Sequence, residues 1–306
     1  MSPQLWDDPH AFAREIRSLP MRAPGVPRGV FLVTPSEFSL AAESAGDNAY
    51  MQMAAVIDPL LASDQHQQLA QALARNGIPT LMFPGDPATP DAVFPNNVFA
   101  TARGRLIVGA MRHRVRQRET RRVDIRAWFR DVIGYREIDL SQAGCVAELT
   151  GSLVIDRARG VGYCGLSERC DRSGAAAMAS AFGLRHVLVF ELAAGEYHTN
   201  VVMSALAGRG LLLCREGFAD DAVADALASI DPAATVLIDV DEKAAYAGNC
   251  IALGERGLWM SACAERALRA GTRRAIAALG LQIHSVALDE LEKAGGSLRC
   301  MIGEVY

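Results

Sequence analysis

The chain has 306 residues, with 31 Lys and Arg against 35 Asp and Glu, a formal net charge of −4. Half of the residues are hydrophobic and 22% are charged, which is ample material for a buried core and no basis for general disorder. The mildly acidic balance speaks against a dedicated nucleic-acid binder. No apolar run reaches the roughly 18 residues needed to span a bilayer, and Asp7 and Asp8 stand where a signal peptide needs its apolar core. The expectation is a soluble, cytoplasmic protein.

In chain order, residues 1–28 are rich in Pro and Arg and read as an N-terminal extension with one short helix. A single domain is expected over 29–306. Within it, four segments read as apolar strand, Gly-containing turn, apolar strand: 97–111, 151–166, 200–215 and 249–261. Aliphatic runs flanking a short turn are the mark of a hairpin. Each is followed by a helix-like stretch (121–133, 172–183, 219–230, 265–280) and then by another apolar strand (136–140, 186–192, 235–240, 281–288). The fold class is α/β, built from a strand–strand–helix–strand unit repeated about every 50 residues.

Polar residues at the start of each hairpin keep the same period. Asn97 to Glu148 is 51 residues, Glu148 to His198 is 50, His198 to Asn249 is 51 and Asn249 to Cys300 is 51. Asn48 lies 49 residues before Asn97. If the units surround a common axis, these positions are equivalent and converge on it. Turn and cap residues also recur in repeats, but as Asn, Asp, Ser or Gly. A Glu, a His and a Cys in one phase are not turn chemistry.

Cys300, His198 and Glu148 together supply a nucleophile, a base and an orienting carboxylate. A free thiol has a pKa near 8.5 and needs a nearby cation or donor to ionise near neutrality. His198 is the candidate for that, and for general acid and base work on a leaving amine and on water. The other cysteines (145, 164, 170, 214, 250, 263) show no CxxC or CxxH spacing and read as small buried hydrophobes. Asn249 reads as structural, and the segment 45–52 around Asn48 has no assigned role.

These residues resemble the pentein superfamily of guanidino-group-modifying enzymes, which comprises arginine deiminases, dimethylarginine dimethylaminohydrolases and amidinotransferases. GGSLRCM (295–301) is similar to the family's nucleophile motif, AELTGSLVID (147–156) to its Glu segment, and YHTN (197–200) to its His motif. DAVFPNN (91–97) resembles its substrate segment and GLSERCDRSGA (165–175) a dimethylarginine-hydrolase segment. The resemblance runs from about residue 30 to the end. It implies a five-bladed α/β propeller with pseudo-fivefold symmetry. It also implies Cys300 attacking the central carbon of a planar C(N)₂ group, His198 protonating the departing nitrogen and activating water, and Glu148 holding a substrate nitrogen. The reaction it implies uses no cofactor and no metal.

Relatives commonly carry Asp where this chain has Asn97, and arginine deiminases carry Asp where it has Asn200. An amide can donate to a carbonyl oxygen, which a carboxylate cannot. The site is therefore expected to suit a neutral ureido group, as in citrulline, or a guanidinium whose charge is met by Glu148 alone, which places the chain near citrulline-hydrolysing members. Arg169 and Arg116 are the candidates for the substrate carboxylate and Asp91 for its amino group. The expected partner is a small amino-acid substrate, with no nucleic acid and no membrane; homo-oligomerisation is left open. Two alternatives stand beside hydrolysis: amidino transfer to a second amine, and a non-catalytic protein binding polyanions through the nine arginines of 103–126. The plainer reading of those arginines is a solvated face paired to local acids such as Glu119 and Asp124.

Overall fold

The computed structural model describes residues 3–21 and 25–306. Its strands fall into short groups along the chain. The first are β1 (Gln4–Trp6), β2 (Gly29–Val33) and β3 (Thr80–Phe83). The expected hairpins with their third strands follow: β4 (Phe99–Ala102), β5 (Arg105–Val108) and β6 (Arg136–Asp139), then β7 (Leu153–Asp156), β8 (Val161–Leu166) and β9 (His186–Glu191). The next group is β10 (Met203–Ala205), β11 (Leu211–Cys214) and β12 (Thr235–Ile238). Then come β13 (Ile251–Leu253), β14 (Gly257–Ser261), β15 (Gln282–Val286) and the C-terminal β16 (Gly303–Val305).

These strands make five small sheets of a mixed α/β fold. Four of them follow one rule. The first two strands of a unit pair antiparallel through a tight turn, and the third returns parallel to the second after a helix. A parallel partner demands such a crossover, which is why each unit needs its helix. The fifth sheet closes by another route: β16 pairs antiparallel with β2, and β2 pairs parallel with β3. The chain's last strand thus completes its first unit, so Cys300, just ahead of β16, holds the hairpin-start position of that unit.

The helix expected over 265–280 is two helices, Ala262–Ala267 and Ala270–Ala278, and the stretch 121–133 is a helix over Val123–Ala127 continued by a wider π turn. The N-terminal extension is more than one helix. β1 adds to β9 as a parallel edge strand, and helix Pro9–Arg17 buries Phe12, Ala13 and Ile16 on its inward face. Asp8 caps that helix, accepting from the His10 and Ala11 N–H groups at 2.9 and 3.0 Å. Full burial of Phe12 and Ile16 contributes about 1.5–3 kcal/mol each. They join the core of Tyr163, Leu188, Leu213 and Leu227.

Just ahead of four first strands the backbone makes a short helical turn, over Pro95–Asn97, Leu149–Ser152, Thr199–Val202 and Leu298–Met301. These turns pack against one another and hand hydrogen bonds around. Thr150 Oγ1 donates to the Asn96 carbonyl at 3.0 Å, Asn200 Nδ2 to the Thr150 carbonyl at 3.1 Å, and Asn249 Nδ2 to the Asn200 carbonyl at 2.9 Å. Each such bond is worth about 1 kcal/mol, and more is lost if a buried carbonyl is orphaned.

Candidate active site

Those turns carry the in-phase residues. Glu148 and His198 each immediately precede a turn, and Asn97, Asn200 and Cys300 lie on one. His198 Nε2 is 3.0 Å from Glu148 Oε2, and neither side chain is exposed at all. Glu148 also accepts from Arg169 at 3.3 Å and from the Arg112 N–H at 3.2 Å. Burial works to raise the Glu148 pKa, but the charge of Arg169, the His198 hydrogen bond and the charge of Arg116 outweigh it and hold the carboxyl far below its usual range. Burial lowers His198, against the pull of Glu148. The pair at neutral pH is therefore a carboxylate and a neutral imidazole. An ionised carboxylate accepts only, so Nε2 bears the proton and Nδ1 keeps the lone pair. That Nδ1 is buried without a hydrogen-bond partner.

Gly151 explains how the imidazole is approached. A Cβ at this position would lie 2.5 Å from Asn97 Oδ1 and 2.7 and 2.8 Å from His198 Cε1 and Nδ1. Asn97 and His198 thus flank one glycine, and Asn97 Oδ1 is likewise buried and unpartnered. Leu149, which follows Glu148 and opens this turn, has φ +23°. Such a backbone costs a non-glycine residue about 1–3 kcal/mol and is held by its surroundings; here the Glu148 N–H is fastened to the Arg169 carbonyl at 3.2 Å.

Cys300 lines a small pocket together with Asn97, Asp91, Arg116, Arg169 and Tyr197. Asp91 accepts from the Ser44 hydroxyl at 2.6 Å through Oδ2, and its Oδ1 is buried without a partner. Cys300 is 1% exposed. Burial pushes its thiol up, against the Asn249 hydrogen bond and the charges of Arg299 and Arg116. The thiol is therefore protonated at neutral pH, and His198, the expected source of a cation beside it, is itself neutral.

Three expected substrate contacts are already engaged. Arg169 grips Asp47 with Nε at 2.9 Å and Nη2 at 2.5 Å, besides its contact with Glu148. Arg116 grips Glu119 twice at 2.9 Å and the Phe94 carbonyl at 3.0 Å. Asn200 does not line the Cys300 cavity. Its Nδ2 is bound to Thr150, its Oδ1 faces Asn249 Nδ2 at 3.3 Å and Cys300 Sγ at 3.9 Å, and it borders a second cavity with Ser204, Arg157 and Arg299.

Other residues of the site were not legible as such. Asp47, Asn48 and Met51 belong to the segment 45–52 that has no assigned role, and Ser44 directly precedes it. Ser44, Asn48 and Met51 form part of the cavity wall, and Asp47 and Ser44 anchor it to Arg169. The only signal was the phase of Asn48. The short helix Ala42–Asp47 and the Tyr50 hydroxyl, which donates to Glu196 at 2.8 Å, hold the segment down. Gly295 is needed beside it, because its φ is +79° and a Cβ would meet Asn48 Nδ2 at 2.4 Å. Asn249, read as structural, donates to Cys300 Sγ at 3.3 Å.

The arginine-rich stretch is not a continuous basic face. Arg105 is bound to the Ala181 carbonyl, Arg116 to Glu119, Arg122 to Asp124, and Arg126 to Glu137 and Asp139. Glu119 and Asp124 are the local acids expected, although Arg116 and Glu119 are buried rather than solvated. Among the described residues no group of His, Cys, Asp and Glu is arranged to hold a metal ion, and no helix is long and apolar enough to cross a membrane.

A family model described as N,N dimethylarginine dimethylhydrolase, eukaryotic, matches residues 34–306. The chain belongs to this family. It is a pentein and falls among the arginine-modifying hydrolases. No curated protein matches the sequence. The fold is similar to that of the substrate-bound N-terminal domain of ArgZ, an arginine dihydrolase from cyanobacteria. The TM-score is 0.78 at 19% identity, over 90% of this chain and 97% of that one. ArgZ has also been captured covalently bound to a reaction intermediate. A dimethylarginine dimethylaminohydrolase, as its adduct with 4-chloro-2-hydroxymethylpyridine, matches at TM-score 0.69 and 22% identity, over 91% of this chain and all of that one. AgrE in complex with L-arginine matches at 0.78 and 20%, over 90% of this chain and 40% of that one.

Proposed function

We propose that the protein is a cysteine hydrolase cleaving a C–N bond in the guanidino or ureido group of an arginine- or citrulline-like amino acid, through a covalent intermediate on Cys300. One observation carries this reading. A single cavity presents the Cys300 thiol beside Asn97, which shares Gly151 with an imidazole whose Nδ1 is free and whose Nε2 is held by an ionised Glu148.

The protons then balance without an external base. As substrate seats, His198 Nδ1 takes the Cys300 proton and the thiolate attacks the central carbon. The imidazolium formed is stabilised by Glu148 and returns that proton to the departing nitrogen as the C–N bond breaks. Water then attacks the thio-linked carbon, giving one proton to Nδ1, and the Cys300 sulfur leaves and recovers it. Asp91 offers its unpartnered oxygen to the substrate's amino group, and the substrate carboxylate takes the place of Asp47 on Arg169.

The same reading treats the five sheets over residues 29–306 as the blades of a five-bladed α/β propeller, with the N-terminal segment clipped on from outside. The hydrogen bonds passed from turn to turn, between residues 54, 50 and 49 apart, support that arrangement. The test is amine or ammonia release from arginine, methylated arginines, citrulline, N-succinylarginine and agmatine by wild type and Cys300→Ser. Mass spectrometry of the C-terminal tryptic peptide 300–306 would detect the adduct. Turnover by the wild type, none by the folded Ser variant, and an adduct on that peptide are expected. Activity retained without the thiol would overturn the reading.

A further inference from the structure

Cys300 must ionise where its surroundings resist it. The charged and titratable groups that line its pocket or act on its charge are Arg116, Arg169 and Asp91 across the pocket, Tyr197 and Tyr246 nearby, and Arg299 next in the chain, with His198 behind Asn97 and Gly151 rather than in the pocket wall. The sulfur accepts a hydrogen bond from none of these. It accepts one from the Asn249 amide, at 3.3 Å.

We propose that Asn249 is a further catalytic residue, the hydrogen-bond donor that stabilises the Cys300 thiolate. The inference rests on Cys300 being the nucleophile. Asn249 is fully buried, and its Nδ2 has three acceptors: the Asn200 carbonyl at 2.9 Å, Asn200 Oδ1 at 3.3 Å and Cys300 Sγ at 3.3 Å. An amide nitrogen has two hydrogens. One satisfies the Asn200 carbonyl, and the other is shared between a neutral oxygen and the sulfur. When the thiol loses its proton, the sulfur becomes a charged acceptor, and hydrogen bonds to charged acceptors are roughly twice as strong as neutral ones. The shared hydrogen then goes to the sulfur. The interaction is stronger with the thiolate than with the thiol, which is what lowers a pKa and what helps a reaction. A purely structural asparagine would not account for the rest: Asn249 Oδ1 is buried without a partner, and an orphaned buried oxygen is destabilising. A hydroxyl side chain would bond the Asn200 carbonyl without that cost.

The measurement is the pH dependence of iodoacetamide alkylation, read at peptide 300–306 so that Cys145 and Cys263 do not contribute. It needs no substrate. Asn249→Asp keeps the shape and removes the donor; Asn249→Ala removes the amide. In both, the alkylation midpoint should rise by about one unit, and the rate near neutral pH should fall about tenfold, with kcat falling and KM little changed. A folded variant with an unmoved midpoint would overturn the proposal and make Asn249 a packing residue. Should both variants misfold, the wild type decides by NMR: the Asn249 side-chain amide protons should shift through the Cys300 titration and on alkylation, and protons indifferent to both would overturn it. Failure of the nucleophile reading is separate, since it appears as turnover in Cys300→Ser whatever the alkylation shows.

Discussion

The imidazole of His198 meets the carboxylate of Glu148 at 3.0 Å, Nε2 to Oε2, with both side chains wholly buried. Burial holds the His198 pKa down in the folded state, and the surrounding cations hold Glu148 down in spite of burial. In the unfolded chain the two titrate near their ordinary values of about 6.5 and 4.3. The unfolded state therefore binds more protons, and stability must fall on acidification. The loss should begin as pH falls through about 6.5, where His198 contributes, and steepen below about 4.3, where Glu148 contributes. Urea unfolding at a series of pH values measures it. Glu148→Gln should remove the lower limb and cost roughly 3 kcal/mol at neutral pH, because it leaves Arg169 buried with Asp47 alone. A lower limb unchanged in that variant would mean that other carboxylates carry it.

Gly151→Ala places a methyl group against both Asn97 and His198. Overpacking of this kind costs about 1–3 kcal/mol of stability. The larger effect should be on chemistry, since a displacement near 1 Å in a reacting group can cost about a hundredfold in rate. We expect kcat to fall about that much while melting shifts by only a few degrees. A variant that melts normally and turns over normally would show that His198 and Asn97 need not approach this closely.

Asp47 occupies the Arg169 fork that the proposed function assigns to the substrate's α-carboxylate. Asp47→Asn weakens this internal competitor by removing its charge. KM for a substrate with an α-carboxylate should then fall, by up to about tenfold, or 1.4 kcal/mol, while KM for agmatine, which has none, stays put. A KM that rises for both would instead make Asp47 part of the substrate's own binding surface.

Charge selection now rests on Asn97, because Asn200 is turned to Thr150, Asn249 and the sulfur. Burying a cation without a partner costs several kcal/mol, so wild type should favour citrulline over arginine in kcat/KM. Asn97→Asp should move that ratio toward arginine by about tenfold or more. If wild type prefers arginine and the variant leaves the ratio unmoved, Asn97 does not select charge.

The repeated unit could be read directly, because alternating apolar runs, turns and caps are local and leave a period in the chain. That period also carried Glu148, His198, Asn97 and Cys300, since equal spacing in a repeat means equivalent position. It placed Asn249 too but not its contact with the Cys300 sulfur, because spacing says where a side chain stands and not which atom it faces. Contacts between distant residues left no such trace. The pairing of β16 with β2 joins the two ends of the chain, and β1 reaches β9 across about 180 residues, so only the folded backbone brings them together. Arg169 offers the same fork to Asp47, 122 residues away, as to a bound carboxylate. Composition cannot tell which it holds, because ion pairs form by geometry and carry no periodicity. The elements and the phase of the reactive residues are local properties of the chain; the open or occupied state of each arginine, and the protonation of the buried thiol, are set by the packing that surrounds them.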